Sequence, residues 1–218
     1  MAFFSMRTRT KIAGYGVGAA AGLSAVLLQT TVLSQFPVRD NIPVYCNLPL
    51  TLAICWGSIS GSPMPPITPD ELRLSSGSLI FTRQLLAGSP SGFLMGAFLA
   101  ALYASMSGFV GDDAMRAFHV FPIYLPFAGF VGGYFCLRHM NMPRFLIMPL
   151  VFVISLLAET VMAWQLSLAG RPGVFANLQQ IAVHEAALNT MIAPLVYVPA
   201  KLWYDFANTR SAPTDVDD

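Results

Sequence analysis

The chain has 218 residues, 55% of them hydrophobic and only 11% charged, with a mean hydropathy of +0.60. Soluble globular domains carry about a quarter charged residues, so this mix excludes an ordinary soluble domain. A formal net charge of +1 removes both the basic excess of a nucleic-acid binder and an acidic excess that would attract a basic partner.

In chain order, Arg7, Arg9 and Lys11 come first, just before an apolar stretch from Ile12 to Phe36. That stretch is longer than the roughly 7–15 residues of a signal-peptide apolar region and closes on no small-x-small cleavage site, so it reads as a retained first span. Further apolar windows follow at about 43–60, 92–110, 119–137, 145–166 and 181–200. Each is near the roughly 20 residues that cross a bilayer as a helix. The expectation is an all-α, polytopic integral membrane protein of about six transmembrane helices, with residues 1–208 forming one membrane domain. The second window is the weakest, because Pro43 and Pro49 interrupt a short run that also holds Asn47.

Between Gly57 and Ser91 lies the longest polar connection, rich in proline and followed by Asp70, Glu71 and Arg73. It reads as a cytoplasmic loop at about 58–91, too short to bury a core of its own, with a short interfacial helix from Leu79 to Leu86. The tail at 209–218 is polar and acidic and reads as a disordered cytoplasmic extension.

Charge placement sets orientation. With the N-terminus inside, Arg7, Arg9, Lys11, Arg73, Arg83, Arg138, Arg144, Lys201 and Arg210 fall on the cytoplasmic side, leaving Arg39, Arg116 and Arg171 outside. Cytoplasmic loops retain positive charge, so both termini are expected in the cytoplasm of a multi-pass protein.

Small residues recur every fourth position: Gly14, Gly18 and Gly22 in the first span; Gly92, Gly96, Ala100, Ala104 and Gly108 in the third. In lipid, such faces let backbones approach and gain van der Waals contact. They are expected to be helix-packing seams, within the subunit or toward a partner. Glu159 lies inside the fifth span, and Glu185 near the start of the sixth shares a face with Asn189 four residues later. An ionised carboxylate in hydrocarbon is costly, so the two acids are expected to face the bundle or an interface or to be neutral, with Asn189 on the same polar surface. Interhelical hydrogen bonding, partner contact and proton or substrate handling all remain open for them.

The three cysteines, Cys46, Cys55 and Cys136, form no CxxC pair and read as small packing residues. His119 and His139 sit at span ends with no spacing that demands a metal. Trp164, Tyr197, Trp203 and Tyr204 read as interfacial anchors. No nucleophile elbow, phosphate loop, zincin motif or dinucleotide fingerprint is legible, so neither catalytic residues nor a cofactor are expected.

Three stretches resemble the bacterial rod shape-determining protein MreD family. They are Leu28-Gln29-Thr30-Thr31-Val32-Leu33; Gly92 to Gly96 running on to Met106-Ser107-Gly108; and Ala187-Leu188-Asn189 through Tyr197-Val198-Pro199. Glu159 also falls where members tend to carry a Glu. The chain departs from the family at Ala104, where an Asp is usual, and in the longer connection from Ser58 to Ser91. The resemblance implies a fold similar to the substrate-binding components of energy-coupling-factor transporters. It implies a non-enzymatic inner-membrane scaffold of wall elongation that acts in the bilayer and regulates cell shape. Implied partners are an MreC-like bitopic protein, an MreB-like filament and peptidoglycan synthases. The alternative is a small-molecule-binding membrane subunit of a transporter.

Overall fold

The computed structural model describes residues 6–31, 46–61, 90–107, 122–135, 146–168 and 174–209. Among these the chain is all-helical, with α1 (Met6–Thr31), α2 (Leu48–Ser60), α3 (Pro90–Ser107), α4 (Tyr124–Gly132), α5 (Ile147–Leu168) and α6 (Val174–Thr209). Each of the six apolar windows overlaps one of the described helices. The expected helix at Leu79 to Leu86, most of the 58–91 loop, Gly108 and the 209–218 tail beyond Thr209 lie outside the described residues.

The shortest windows hold the surprise. α2, whose window looked weakest, is the centre of the bundle: it packs against all five other helices, and every residue from Pro49 to Ile59 is buried. An all-round apolar helix has no face to give to solvent. Its few polar side chains bond locally, Thr51 to the Asn47 carbonyl (3.0 Å), Ser58 to Cys55 (3.0 Å) and Ser60 to Trp56 (2.7 Å). Pro49 does not interrupt this helix; it lies within the first two helical positions, where a missing N–H costs nothing, and Asn47 is the N-cap.

Glycines bring α2, α3 and α4 together. A Cβ added at Gly92 would meet the Gly129 carbonyl oxygen and stand 2.7 Å from Gly57 Cα; one at Gly96 would stand 2.6 Å from Pro126 Cα. One at Gly132 would stand 2.7 Å from the Ile54 carbonyl. These are backbone-to-backbone approaches that no larger residue permits.

α1 lies across this core more lightly. Its buried positions, Gly18, Gly22, Val26 and Gln29, follow one face, resting on the Trp56 ring, Phe98 and Leu99. Shallow grooves of about 380 Å³ toward α6 and about 420 Å³ toward α3 run along its flanks. The first is lined by Leu28, Leu48, Leu52, Val196 and Trp203, the second by Tyr15, Ser91, Leu94 and Phe98.

Large apolar side chains also stand on the outside of the bundle. Leu94, Val153, Leu157, Trp164, Met191, Leu195 and Leu202 are exposed, Leu195 at 75%. By length and composition one described helix, within Ile147–Gln165, is apolar enough to cross a membrane, while Leu48–Ser60 and Pro90–Met106 are apolar but shorter.

Candidate functional site

The first turn of a helix leaves backbone N–H groups without intrahelical partners, and at α2 these are partly buried between helices. Each is accounted for. Asn47 N–H donates to Asn189 Oδ1 at 2.7 Å, and Leu48 N–H donates to Gln29 Oε1 at 3.0 Å. Pro49 has no N–H, and Leu50 N–H donates to Asn47 Oδ1 at 3.0 Å. The regular ladder begins at Thr51, which donates to the Asn47 carbonyl at 3.0 Å. α1, α6 and the cap residue thus each supply one acceptor, which fixes the start of the central helix against two distant helices.

Asn189 is the hub of this arrangement. Fully buried, it accepts from Asn47 N–H and from the Cys46 thiol (3.5 Å), and its Nδ2 donates to Ser155 Oγ on α5 at 3.3 Å. One turn further along both helices, Glu159 of α5 and Glu185 of α6 face one another and share a side-chain hydrogen bond. Residues 155 and 159 therefore pair with 189 and 185 as two rungs between antiparallel helices. The Tyr124 hydroxyl bonds the Asn47 side chain and lies within electrostatic reach of Glu159, Glu185 and Tyr103. The cluster draws on all six helices. Glu159 is only 5% exposed, and its Oε1 has no hydrogen-bond partner.

Of the sequence-derived seam positions, Gly92 and Gly96 lie at the α2–α3–α4 approach and Ala100 is fully buried in the core. Gly18 and Gly22 lie under α1, where an added Cβ would meet the ends of Trp56, Met95, Phe98 and Leu99 side chains rather than backbone. Gly14 belongs to α1. Ala104 is exposed on α3, away from the seam. Glu159, Glu185 and Asn189 come together as described.

Sequence reasoning missed Gln29, Asn47, Ser155 and Tyr124 as members of the cluster. Asn47 two residues before Pro49 is an N-cap signature, the one local signal that was available. Tyr197, read as an interfacial anchor, is instead a core residue 2% exposed, because α6 turns that face toward α2 and α5. Trp164 and Trp203 differ from each other: Trp164 is exposed, whereas the Trp203 Nε1 is covered and has no hydrogen-bond partner. Cys46 and Cys55 are buried free thiols; Cys55 bonds the Ala193 carbonyl at 3.9 Å. Among the described residues no three His, Cys, Asp or Glu side chains group as metal ligands.

The class that fold and site define is an all-helical bundle with an apolar exterior and a packed polar cluster at its centre. No family model, curated protein or solved structure matches the chain.

Proposed function

We propose that the chain is a polytopic inner-membrane scaffold of the cell-wall elongation machinery, with six spans and both termini in the cytoplasm. The observation that carries the membrane part is the set of large apolar side chains on the exterior of a bundle that buries several polar ones. Large apolar side chains such as Leu94, Leu195 and Leu202 face outward, while Gln29, Ser155, Glu159 and Asn189 are buried. In water so extensive an apolar exterior would aggregate; in lipid it is the solvated surface. The short α2 fits this reading, since the other five helices pack around it. Interior Pro194 and Pro199 in α6 are also more common in transmembrane helices than in soluble ones.

The scaffold part rests on the resemblance to the MreD family, and the motifs that carry it lie at packing positions. Gln29 holds the start of α2, Gly92 and Gly96 allow α3 to meet α4, and Asn189 ties α6 to α5 and α2. A protein that works through helix faces and loops needs such a rigid frame, and no reactive constellation is required of it. Its partners are an MreC-like bitopic protein, an MreB-like filament and peptidoglycan synthases.

A small-molecule-binding transporter subunit is the second reading, favoured by the Glu159–Glu185 pair. Such a subunit needs a roomy polar pocket. The described polar cluster is packed, and the grooves beside α1 are mainly apolar. The scaffold reading is therefore preferred. Co-purification from membranes tests it: a tagged chain is expected to recover the bitopic partner, and its removal to round rod-shaped cells. Normal cell shape and no partner recovery, together with ligand uptake dependent on the chain, would replace it with the second reading.

A further inference from the structure

The hydrogen bond between the Glu159 and Glu185 carboxyls brings two groups of the same sign together, Glu159 buried and Glu185 half-buried. Oxygens of two fully ionised carboxylates cannot hydrogen-bond to each other, and like charges in a low-dielectric interior repel strongly. Among the described helices the Lys and Arg residues are Arg7, Arg9, Lys11 and Lys201, and His184, the residue before Glu185, is exposed on α6. Lys201 lies sixteen residues beyond Glu185, about 24 Å along α6 at 1.5 Å per residue, and Arg7, Arg9 and Lys11 lie at the end of α1 opposite Gln29. The titratable neighbours from the other elements are the Cys46 thiol before α2, Tyr103 of α3 and Tyr124 of α4, all neutral or negative.

A second feature points to something held between the carboxyls. Glu159 is nineteen-twentieths buried, yet its Oε1 accepts nothing. Leaving a carboxylate oxygen dry and unpaired costs far more than leaving it in water, so a positive ligand at that atom removes a penalty that packing alone does not. One turn away on each helix, Ser155 and Asn189 are already bonded to each other and to the start of α2, so the ligands at this level are the two carboxyls, hard oxygen donors. Two carboxyls, with no group of three His, Cys, Asp or Glu ligands among the described residues, suit a singly charged ion better than a transition metal.

We propose that Glu159 and Glu185 form a binding site for one small monovalent cation, either a proton or an alkali-metal ion, held statically between α5 and α6. The bound charge closes the rung above Asn189–Ser155 and keeps the start of α2 in register. Loss of the cation leaves two facing negative charges, which push α5 from α6 at that level.

The test uses the full chain in lipid nanodiscs. Its thermal unfolding is followed in sodium, potassium or choline chloride at equal ionic strength across a pH series, and its infrared spectrum is recorded for a protonated-carboxyl band. If the ion is an alkali metal, sodium or potassium raises the unfolding temperature over choline, and Glu159→Gln weakens that response about tenfold or more, equivalent to about 1.4 kcal/mol. If it is a proton, stability is independent of the salt cation and falls as pH rises, and a protonated-carboxyl band is present that Glu159→Gln and Glu185→Gln each remove. Glu185→Gln is the second variant should Glu159→Gln fail to fold. A wild-type chain with no protonated-carboxyl band and no response to sodium or potassium would overturn the proposal, as would variants that respond like wild type. Partner recovery is measured in parallel, so that failure of the cation site and failure of the scaffold reading are read separately.

Discussion

Glu159 stands opposite Glu185 one helical turn from the hydrogen bond between Ser155 and Asn189, so a single antiparallel register sets both polar rungs of the α5–α6 seam. The same Asn189 then reaches Asn47 at 2.7 Å and couples that seam to the first turn of the central helix. A change at either rung is therefore expected to be felt at α2.

Asn189→Ala should be the most damaging single change in the cluster. It removes the acceptor for Asn47 N–H and Cys46 and the donor to Ser155, leaving a part-buried N–H unpaired and a buried thiol and hydroxyl without that partner. At about 1–3 kcal/mol for each orphaned buried group, a loss of at least about 2 kcal/mol is expected. Gln29→Ala removes one acceptor and should cost about 1 kcal/mol. Equal unfolding temperatures for the two variants in detergent would contradict the hub role of Asn189.

Glycine substitutions should separate the two small-residue stripes. Gly92→Ala and Gly96→Ala drive a methyl group into backbone and should destabilise by about 1–3 kcal/mol or more. Gly22→Ala meets only the ends of Phe98 and Leu99, which can shift, and should be nearly neutral. Recovery of monodisperse protein after heating checks this ordering.

Trp56 supports α1 from below: its ring lies against Gly18, its Nε1–H donates to Ser91 Oγ at 3.1 Å, and it meets Tyr204 edge-on at 6.1 Å. Trp56→Phe should lose little more than that hydrogen bond, about 1 kcal/mol. Trp56→Ala should open a cavity and cost about 3–5 kcal/mol. Cross-linking between α1 and α3 should weaken in the alanine variant alone.

Glu159→Gln keeps shape and hydrogen-bonding capacity, so cell shape and partner recovery should survive it. Glu159→Leu leaves Glu185 facing an apolar surface and should impair assembly. Loss of partner binding in a folded Glu159→Gln protein would count against the structural role of this residue.

Orientation follows from the distribution of Lys and Arg. Reporter fusions after Arg210 and at Ser75 should both read cytoplasmic, and a periplasmic signal at either would refute the span count or the orientation.

Local sequence determined that this protein is helical, where its six apolar segments run, and that Gly92, Gly96, Glu159, Glu185 and Asn189 stand out within them, because hydropathy and residue size are properties of a single segment. It could not show which segment becomes the centre. α2 looked weakest because Pro43 and Pro49 interrupt a short run that holds Asn47, whereas Asn47 and Pro49 start the helix; its burial depends on five other helices closing round it. Nor could spacing reveal that Glu159 would face Glu185, or that Gln29, Asn47 and Asn189 would converge, since those residues are far apart in the chain. Only tertiary packing decided these pairings: backbone approaches such as Gly92 to Gly129 set the helix spacing, and hydrogen bonds such as Asn189 to Ser155 set the register.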